Sequence, residues 1–235
     1  MALSDELTKD ITSVLGQAWD IRDGQVVPTT NDVTLAGGGV KLKATFLYAD
    51  LADSTELAMW DQRVTARICK AFLSASTRLI RAHGGDVRSF DGDRVMGVFL
   101  GDNKNTTAVK CALRINWMFL NELKPKFKAK YDALKNETYK LAHCTGVDTS
   151  EALVVRSGIR NNSDLIWIGR APNVAAKLSG LRDAPYHTFI TGEVYDVLAN
   201  EGKIGSSGAN MWEERNWTTG PVKRVFRSSW TWTPA

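Results

Sequence analysis

The sequence lacks any apolar run near the ~18 residues that a membrane helix needs, which excludes a helical span, and no membrane partner is expected. Its first residues, Met-Ala-Leu-Ser-Asp-Glu, are acidic and carry no signal-peptide pattern. Cysteine is scarce. The 3 present, Cys69, Cys111 and Cys144, stand apart, without the paired spacing of a zinc site or a disulfide framework. They are expected to be buried thiols in a reducing cytoplasm. Neither a serine-hydrolase elbow nor a glycine-rich lysine loop for phosphate is present, and no repeat or low-complexity stretch stands out.

What is there is an ordinary globular composition, 43% apolar and 24% charged over 235 residues, enough for one good-sized domain with extensions. The net charge is +4, and part of it is concentrated in Lys124, Lys126, Lys128, Lys130, Lys135 and Lys140. A nucleic-acid binder would use such a stretch. No aromatic stacking motif accompanies it, so it reads as a solvated helix end and loop with no nucleic-acid partner.

Leu7, Ile11, Leu15 and Trp19 recur at helical spacing and predict an amphipathic helix over 3–20. Residues 21–40, with Pro28, Asn31 and the glycines at 37–39, read as a linker. A strand is expected over 43–50. Asp53-Ser-Thr-Glu56 has the form of a capping box with Asp53 as N-cap, opening one long helix that His83-Gly84-Gly85 stops. A hairpin over 86–90 and 94–100 is expected to turn at Asp91-Gly92. A helix over 104–123 follows, then a strand pair at 139–147 and 151–156, a strand at 164–168, a helix at 171–182, a strand at 187–191 and a short helix at 192–200. In the tail, Trp230 and Trp232 share a strand face by period two, which reads as packing rather than ligand stacking. The order predicts an α/β (α+β) fold with a ferredoxin-like βαββαβ core and additional strands. The expected division is a helix and linker at 1–40, a catalytic domain at 41–200, and a Trp-rich extension at 201–235 that completes it.

Two acidic segments carry the chemistry. In Lys43–Glu56 an apolar run ends at Asp50; in Gly84–Phe99, Asp93 lies in a glycine-containing turn between two apolar runs. If the strands are neighbours, two carboxylates converge at one sheet edge. Such a pair has little place in a core unless a cation neutralises it. Hard oxygen ligands suit Mg2+ or Mn2+, ions that usually arrive with a nucleotide's phosphates. Asp91 reads as a turn residue and Asp53 as a cap rather than a ligand. His143 and Cys144 read as a satisfied strand pair rather than a nucleophile dyad. Gly84-Gly85-Asp86 looks like the start of a diguanylate cyclase signature, but Val87-Arg88 follows where that signature continues with acidic and aromatic residues.

Four segments, Phe46–Thr55, Gly92–Phe99, Gly146–Glu151 and Ile168–Leu178, resemble the class III nucleotide cyclase catalytic domain in order and approximate spacing, over about 41–200. The resemblance implies conversion of a nucleoside triphosphate to a 3′,5′-cyclic monophosphate and pyrophosphate, with two divalent ions. By the same resemblance Asp50 and Asp93 are metal ligands, the Leu51 carbonyl is a further candidate, and backbone N–H groups from Ala52 to Ser54 and Thr55 cradle phosphates. Asn173 would orient the ribose and Lys177, 4 residues on, would meet the charge at phosphorus, where the family usually has arginine. In the family that pair comes from the opposite subunit, so a homodimer with composite sites is implied.

The two positions that read the base in purine cyclases are Ser89 and Ile166 here, and neither matches the adenine or guanine pattern. Arg88 beside Ser89, and Arg94 directly after Asp93, make the segment similar to the bacterial pyrimidine cyclases of the Pycsar antiphage systems, whose cyclic nucleotide activates a separately encoded effector. Arginine donates only, which suits the O4 acceptor of uracil. UTP is therefore favoured over CTP, with an adenylate or guanylate cyclase, or a catalytically silent regulator, as alternatives. Lys223, Arg224 and Arg227 are candidates for the triphosphate.

Overall fold

Val40, Leu42 and Ala44 are buried and alternate with exposed Lys41 and Lys43, and from Ala44 to Ala52 the residues are buried or half-buried, Asp50 included, so this segment extends as a strand covered first on one face and then on both. It is the second of nine strands in a computed structural model that describes residues 2–234. Before it come α1 (Leu3–Leu15), β1 (Asp20–Asp23) and a 3-10 turn at Thr30–Asp32; the strand itself, β2, is Gly38–Ala52. Next are α2 (Ser54–Trp60), α3 (Gln62–Ala82), β3 (Asp86–Asp91), β4 (Arg94–Phe99) and α4 (Lys104–Met118). A wide π-turn at Phe119–Leu123 leads into α5 (Lys124–Lys130) and α6 (Asp132–Lys135). The rest is β5 (Ala142–Ile159), β6 (Asn162–Gly169), α7 (Arg170–Ser179), β7 (Thr188–Thr191), α8 (Gly192–Asp196), α9 (Asn200–Lys203), β8 (Glu213–Asn216) and β9 (Arg224–Ser228). No helix among the described residues is long and apolar enough to cross a membrane.

The chain forms two units. The smaller comprises Met1–Lys43 and Glu151–Arg170. In it β1 runs parallel to the start of β2, Asp20 opposite Gly38, and β6 pairs antiparallel with the end of β5, Ala152 opposite Gly169. Residues 21–40 are therefore not simply a linker. Gly38 and Gly39 are strand residues, and a Cβ on Gly39 would stand 3.0 Å from Leu153 and 3.2 Å from Ile21. The first helix stops at Leu15, short of the expected 20, and buries none of its residues.

The larger unit, Ala44–Ser150 with Ala171–Ala235, holds a sheet in the order β3-β4-β2-β5-β7-β9-β8. Its core packs Leu47, Leu51, Val95 and Phe99 from the sheet against Ile68, Phe72 and Ile80 of α3, Leu113 and Ile115 of α4, and Phe119. Each such side chain contributes about 1.5–3 kcal/mol by leaving water.

Four local expectations are corrected. The helix after Asp53 is two helices, because Asp61 accepts hydrogen bonds from the backbone N–H of Arg63 (2.8 Å) and Val64 (3.0 Å) and starts α3 anew. Asp53 makes no side-chain cap; its backbone is left-handed (φ 58°). The pair of strands around 147–151 is one continuous strand. Its polar residues face neighbours across the sheet, Thr149 Oγ1 donating to the Ala44 carbonyl (3.2 Å) and Thr45 Oγ1 donating to Thr149 Oγ1 (3.1 Å). The tail is not a strand at Trp230 and Trp232. The Trp230 carbonyl accepts from Asn116 Nδ2 (2.9 Å), and Trp232 N–H donates to the Leu113 carbonyl (3.2 Å), so α4 pins it instead.

His143 donates from Nε2 to Asn116 Oδ1 (3.0 Å), its Nδ1 is buried without a partner, and its ring stacks on His187 at 5.2 Å. Burial pushes both rings well or moderately below the usual 6.5, helped for His143 by His187, Arg182 and Lys124 and for His187 by Lys124. Both are neutral when folded and take protons when unfolded. Their contribution is present above about pH 6.5 and is lost as pH falls through it, at most ~1.4 kcal/mol per pH unit for each ring. Urea midpoints at pH 7.5 and 5.5 are expected to show this loss, and His143→Asn should reduce it; an unchanged slope in that variant would contradict the assignment.

Candidate active site

Antiparallel pairing of β2 with β4 runs from Thr45 opposite Phe99 to Asp50 opposite Arg94. The β3–β4 hairpin closes through two residues, Gly92 and Asp93, with Asp91 opposite Arg94. Gly92 has φ +59°, which glycine adopts at no steric cost. The expected turn at Asp91-Gly92 is thus shifted by one residue, and Asp91 is the last residue of β3. The shift puts Asp93 in the turn, next in sequence to the residue that faces Asp50.

Asp50 is 5% exposed. Arg94 Nε donates to its Oδ1 at 3.2 Å and Arg182 Nη2 to its Oδ2 at 3.0 Å. Asp93 is half-buried, and its Oδ2 is buried without any hydrogen-bond partner. Leu51 is buried; Ser54 and Thr55 are the first residues of α2, half-buried and exposed. Arg88 sits at a β-bulge, between the pairs Val87–Gly97 and Ser89–Met96. A bulge re-aims its side chain. Arg88 Nε is buried without a partner, and Ser89 is half-buried.

Three neighbours escaped sequence reading. Arg182 follows α7 and reads in sequence as a basic residue at a helix end; its pairing with Asp50 spans 132 positions. Cys69 on α3 has its thiol pushed up by burial and then by the Asp93 carboxylate. Tyr48, half-buried on β2, has its phenol pushed up mainly by burial, with Arg94 pulling it down and Asp91 raising it. Cys144 is fully buried, its thiol pushed up to about 12 by burial, and it is no nucleophile.

The helix α7 lies hard against β5 because Gly146 has no side chain: a Cβ there would meet the Ala175 carbonyl oxygen at 2.2 Å. Ala171, Val174, Ala175 and Leu178 are buried, which leaves Asn173 and Lys177 exposed on the opposite face. Lys177 makes no ion pair among the described residues. Ile166 belongs to the smaller unit, exposed on β6 in a groove with Val14 and Trp19. Arg224 is taken by Asp196 (2.8 Å) and Glu214 (3.1 Å), and Arg227 by Glu213 and Asp183, so neither guanidinium is idle.

No group of three or more His, Cys, Asp or Glu side chains suited to a metal occurs among the described residues. What the strand register gives is two acidic positions, Asp50 on β2 and Asp93 next in sequence to its pairing partner Arg94. That is what an ion needs when one or two carboxylates hold it and substrate phosphates complete its shell. Asp93 has no structural partner for one oxygen, so its carboxylate does little for the fold by itself. In chelator-treated protein, Asp93→Asn is expected to melt within about 1 kcal/mol of wild type or above it. A loss beyond about 2 kcal/mol would make Asp93 a structural residue.

No protein-family model matches the chain. A uridylate cyclase from Rhodovulum sp. (strain MB263) is 48% identical over 221 residues, 92% of this chain and 91% of its own length. Uridylate cyclases from Xanthomonas perforans and Burkholderia cepacia are each 39% identical, over 99% of this chain and 99–100% of theirs. Among solved structures, the adenylyl cyclase CyaB from P. aeruginosa superposes with a TM-score of 0.64 at 18% identity, covering 81% of this chain and 95% of that one. The guanylyl cyclase Cya2 gives 0.65 at 16% identity, covering 84% and 96%. These structural likenesses show the fold of the class III cyclases, and the full-length sequence relatives show the family: the chain belongs to the uridylate cyclases.

Proposed function

We propose that the chain converts UTP to 3′,5′-cyclic UMP and pyrophosphate. The observation that carries this reading is the strand register that sets Asp50 opposite Arg94, directly after Asp93. The name of the full-length relatives, uridylate cyclase, supports the choice of base.

The residues fit a divalent cation. Asp50 is a nearly buried carboxylate that, among the described residues, is answered by guanidinium groups, and Asp93 keeps a buried oxygen without a donor there. Asp50, Asp93 and the Leu51 carbonyl are assigned as the ligands of two Mg2+ or Mn2+ ions. When bound, such ions activate the ribose 3′-hydroxyl and hold the triphosphate. The backbone of Ser54 and Thr55 is assigned to the phosphates. Asn173 orients the ribose, and Lys177 meets the charge that builds on the phosphorus oxygens in the in-line transition state. A lysine supplies that charge without the planar fork of arginine. Both are exposed on α7, which suits delivery to the site of a second subunit in a homodimer.

Arg88 and Ser89 are assigned to the base, with Arg94 at the base or the phosphates. The bulge at Arg88 and its unpartnered Nε favour an acceptor on the ligand, and uracil O4 is one. Residues 41–200 hold the chemistry, 1–40 precede it and 201–235 complete the domain. A cytoplasmic place goes with a nucleoside triphosphate substrate. Resemblance to the Pycsar cyclases makes the product a second messenger of antiphage defence, read by a separate effector.

The test offers UTP, CTP, ATP and GTP with Mn2+ and identifies the product. Cyclic UMP is expected to dominate. Asp50→Ala and Asp93→Ala should each lose about 10³-fold or more, since metal charge is worth several kcal/mol at the transition state. Dominant cyclic AMP or cyclic GMP would overturn the base assignment, and dominant cyclic CMP would move it to cytosine. Undiminished pyrophosphate release in either alanine variant would overturn the metal assignment.

A further inference from the structure

Arg182 makes two kinds of contact at once. Its Nη1 donates to the carbonyls of Ser179 and Leu181, both at 3.0 Å, closing the end of α7. Its Nη2 donates to Asp50 Oδ2 at 3.0 Å. Asp50 is nearly buried, whereas the Arg182 side chain is 38% exposed and stands on the segment that follows the helix. The carboxylate is fixed by its strand and the guanidinium is the partner that can leave. A divalent cation on Asp50 competes for the same oxygen that Arg182 holds, and two positive groups on one carboxylate repel.

We propose that Arg182 is an internal counterion of Asp50, displaced when a divalent cation binds, and that its released guanidinium takes a phosphate oxygen of the incoming nucleotide. This rests on the assignment of Asp50 as a metal ligand. The handover is chemically matched: the planar fork that answers a carboxylate answers a phosphate equally well. It gives the Asp50 carboxylate a positively charged partner without metal and supplies a phosphate donor once metal arrives. Arg94 keeps its bond to the other oxygen, Oδ1, so the carboxylate retains its orientation through the exchange. Arg182 is thus a positioning residue before the nucleotide binds and a substrate ligand after.

The test measures Mn2+ binding to the full chain without nucleotide, by electron paramagnetic resonance, in wild type, Arg182→Gln, Arg182→Lys and Asp50→Asn. Glutamine retains an N–H donor for the helix carbonyls and removes the charge. Arg182→Gln is expected to bind Mn2+ roughly fivefold more tightly, the scale of one partly exposed ion pair, while its KM for the nucleotide rises. Arg182→Lys should bind Mn2+ as wild type does. Unchanged or weaker Mn2+ binding in Arg182→Gln overturns the counterion role, and a lowered melting temperature with unmoved Mn2+ binding leaves Arg182 a helix cap only. Tighter Mn2+ with an unaltered KM overturns the handover to phosphate. Mn2+ binding that survives Asp50→Asn overturns the metal assignment itself.

Discussion

A carboxylate almost removed from water must meet positive charge, and Asp50 is such a carboxylate. Its isolated burial would cost several kcal/mol. In the chain alone Arg94 and Arg182 supply the compensation, one from the neighbouring strand and one from 132 residues away. Both guanidinium groups are about a third exposed, so each bond is screened and worth on the order of 1 kcal/mol. That is enough to hold Asp50 and weak enough to be exchanged. Asp93, one position from Arg94, keeps an oxygen that nothing in the described structure satisfies. This unmet oxygen beside an exchangeable ion pair is what the proposed cation site rests on.

The rest of the larger unit keeps that arrangement stiff. β2 delivers Asp50 from the middle of the sheet, packed through Leu47 and Leu51 against α3 and α4. The two-residue turn at Gly92-Asp93 fixes the second carboxylate to the register of the first. Gly146 lets α7 approach β5 closely, and the buried stripe of that helix turns Asn173 and Lys177 outward. Rigid strands carry the acidic groups and a helix surface carries the amide and the ammonium. The cyclisation proposed above needs both kinds of group on opposite sides of one substrate.

Much of this was legible in the residues. Strand and hairpin patterning around Asp50 and Asp93 was clear because apolar alternation and a glycine turn are local signals. The order of elements followed from the same signals, and the fold and family expected from four segments agree with full-length relatives and solved cyclases. What failed was local where side chains choose between roles. Asp53 looked like a cap and is left-handed backbone, while Asp61, which drew no notice, breaks the helix. The strand pair expected at 139–147 and 151–156 is one strand, because pairing across the sheet keeps the backbone extended between them. Arg182 was invisible because its partner is distant in sequence, and no spacing rule links a helix end to a strand 132 residues earlier.

In the proposed function Asp50 and Asp93 together grip divalent ions for a bound pyrimidine triphosphate. Crystals grown with Mn2+ and a non-cyclisable UTP analogue, measured at the manganese edge, decide this. An anomalous peak in contact with both carboxylates and the analogue's phosphates is expected. Nucleotide in place with no peak between those carboxylates would contradict it.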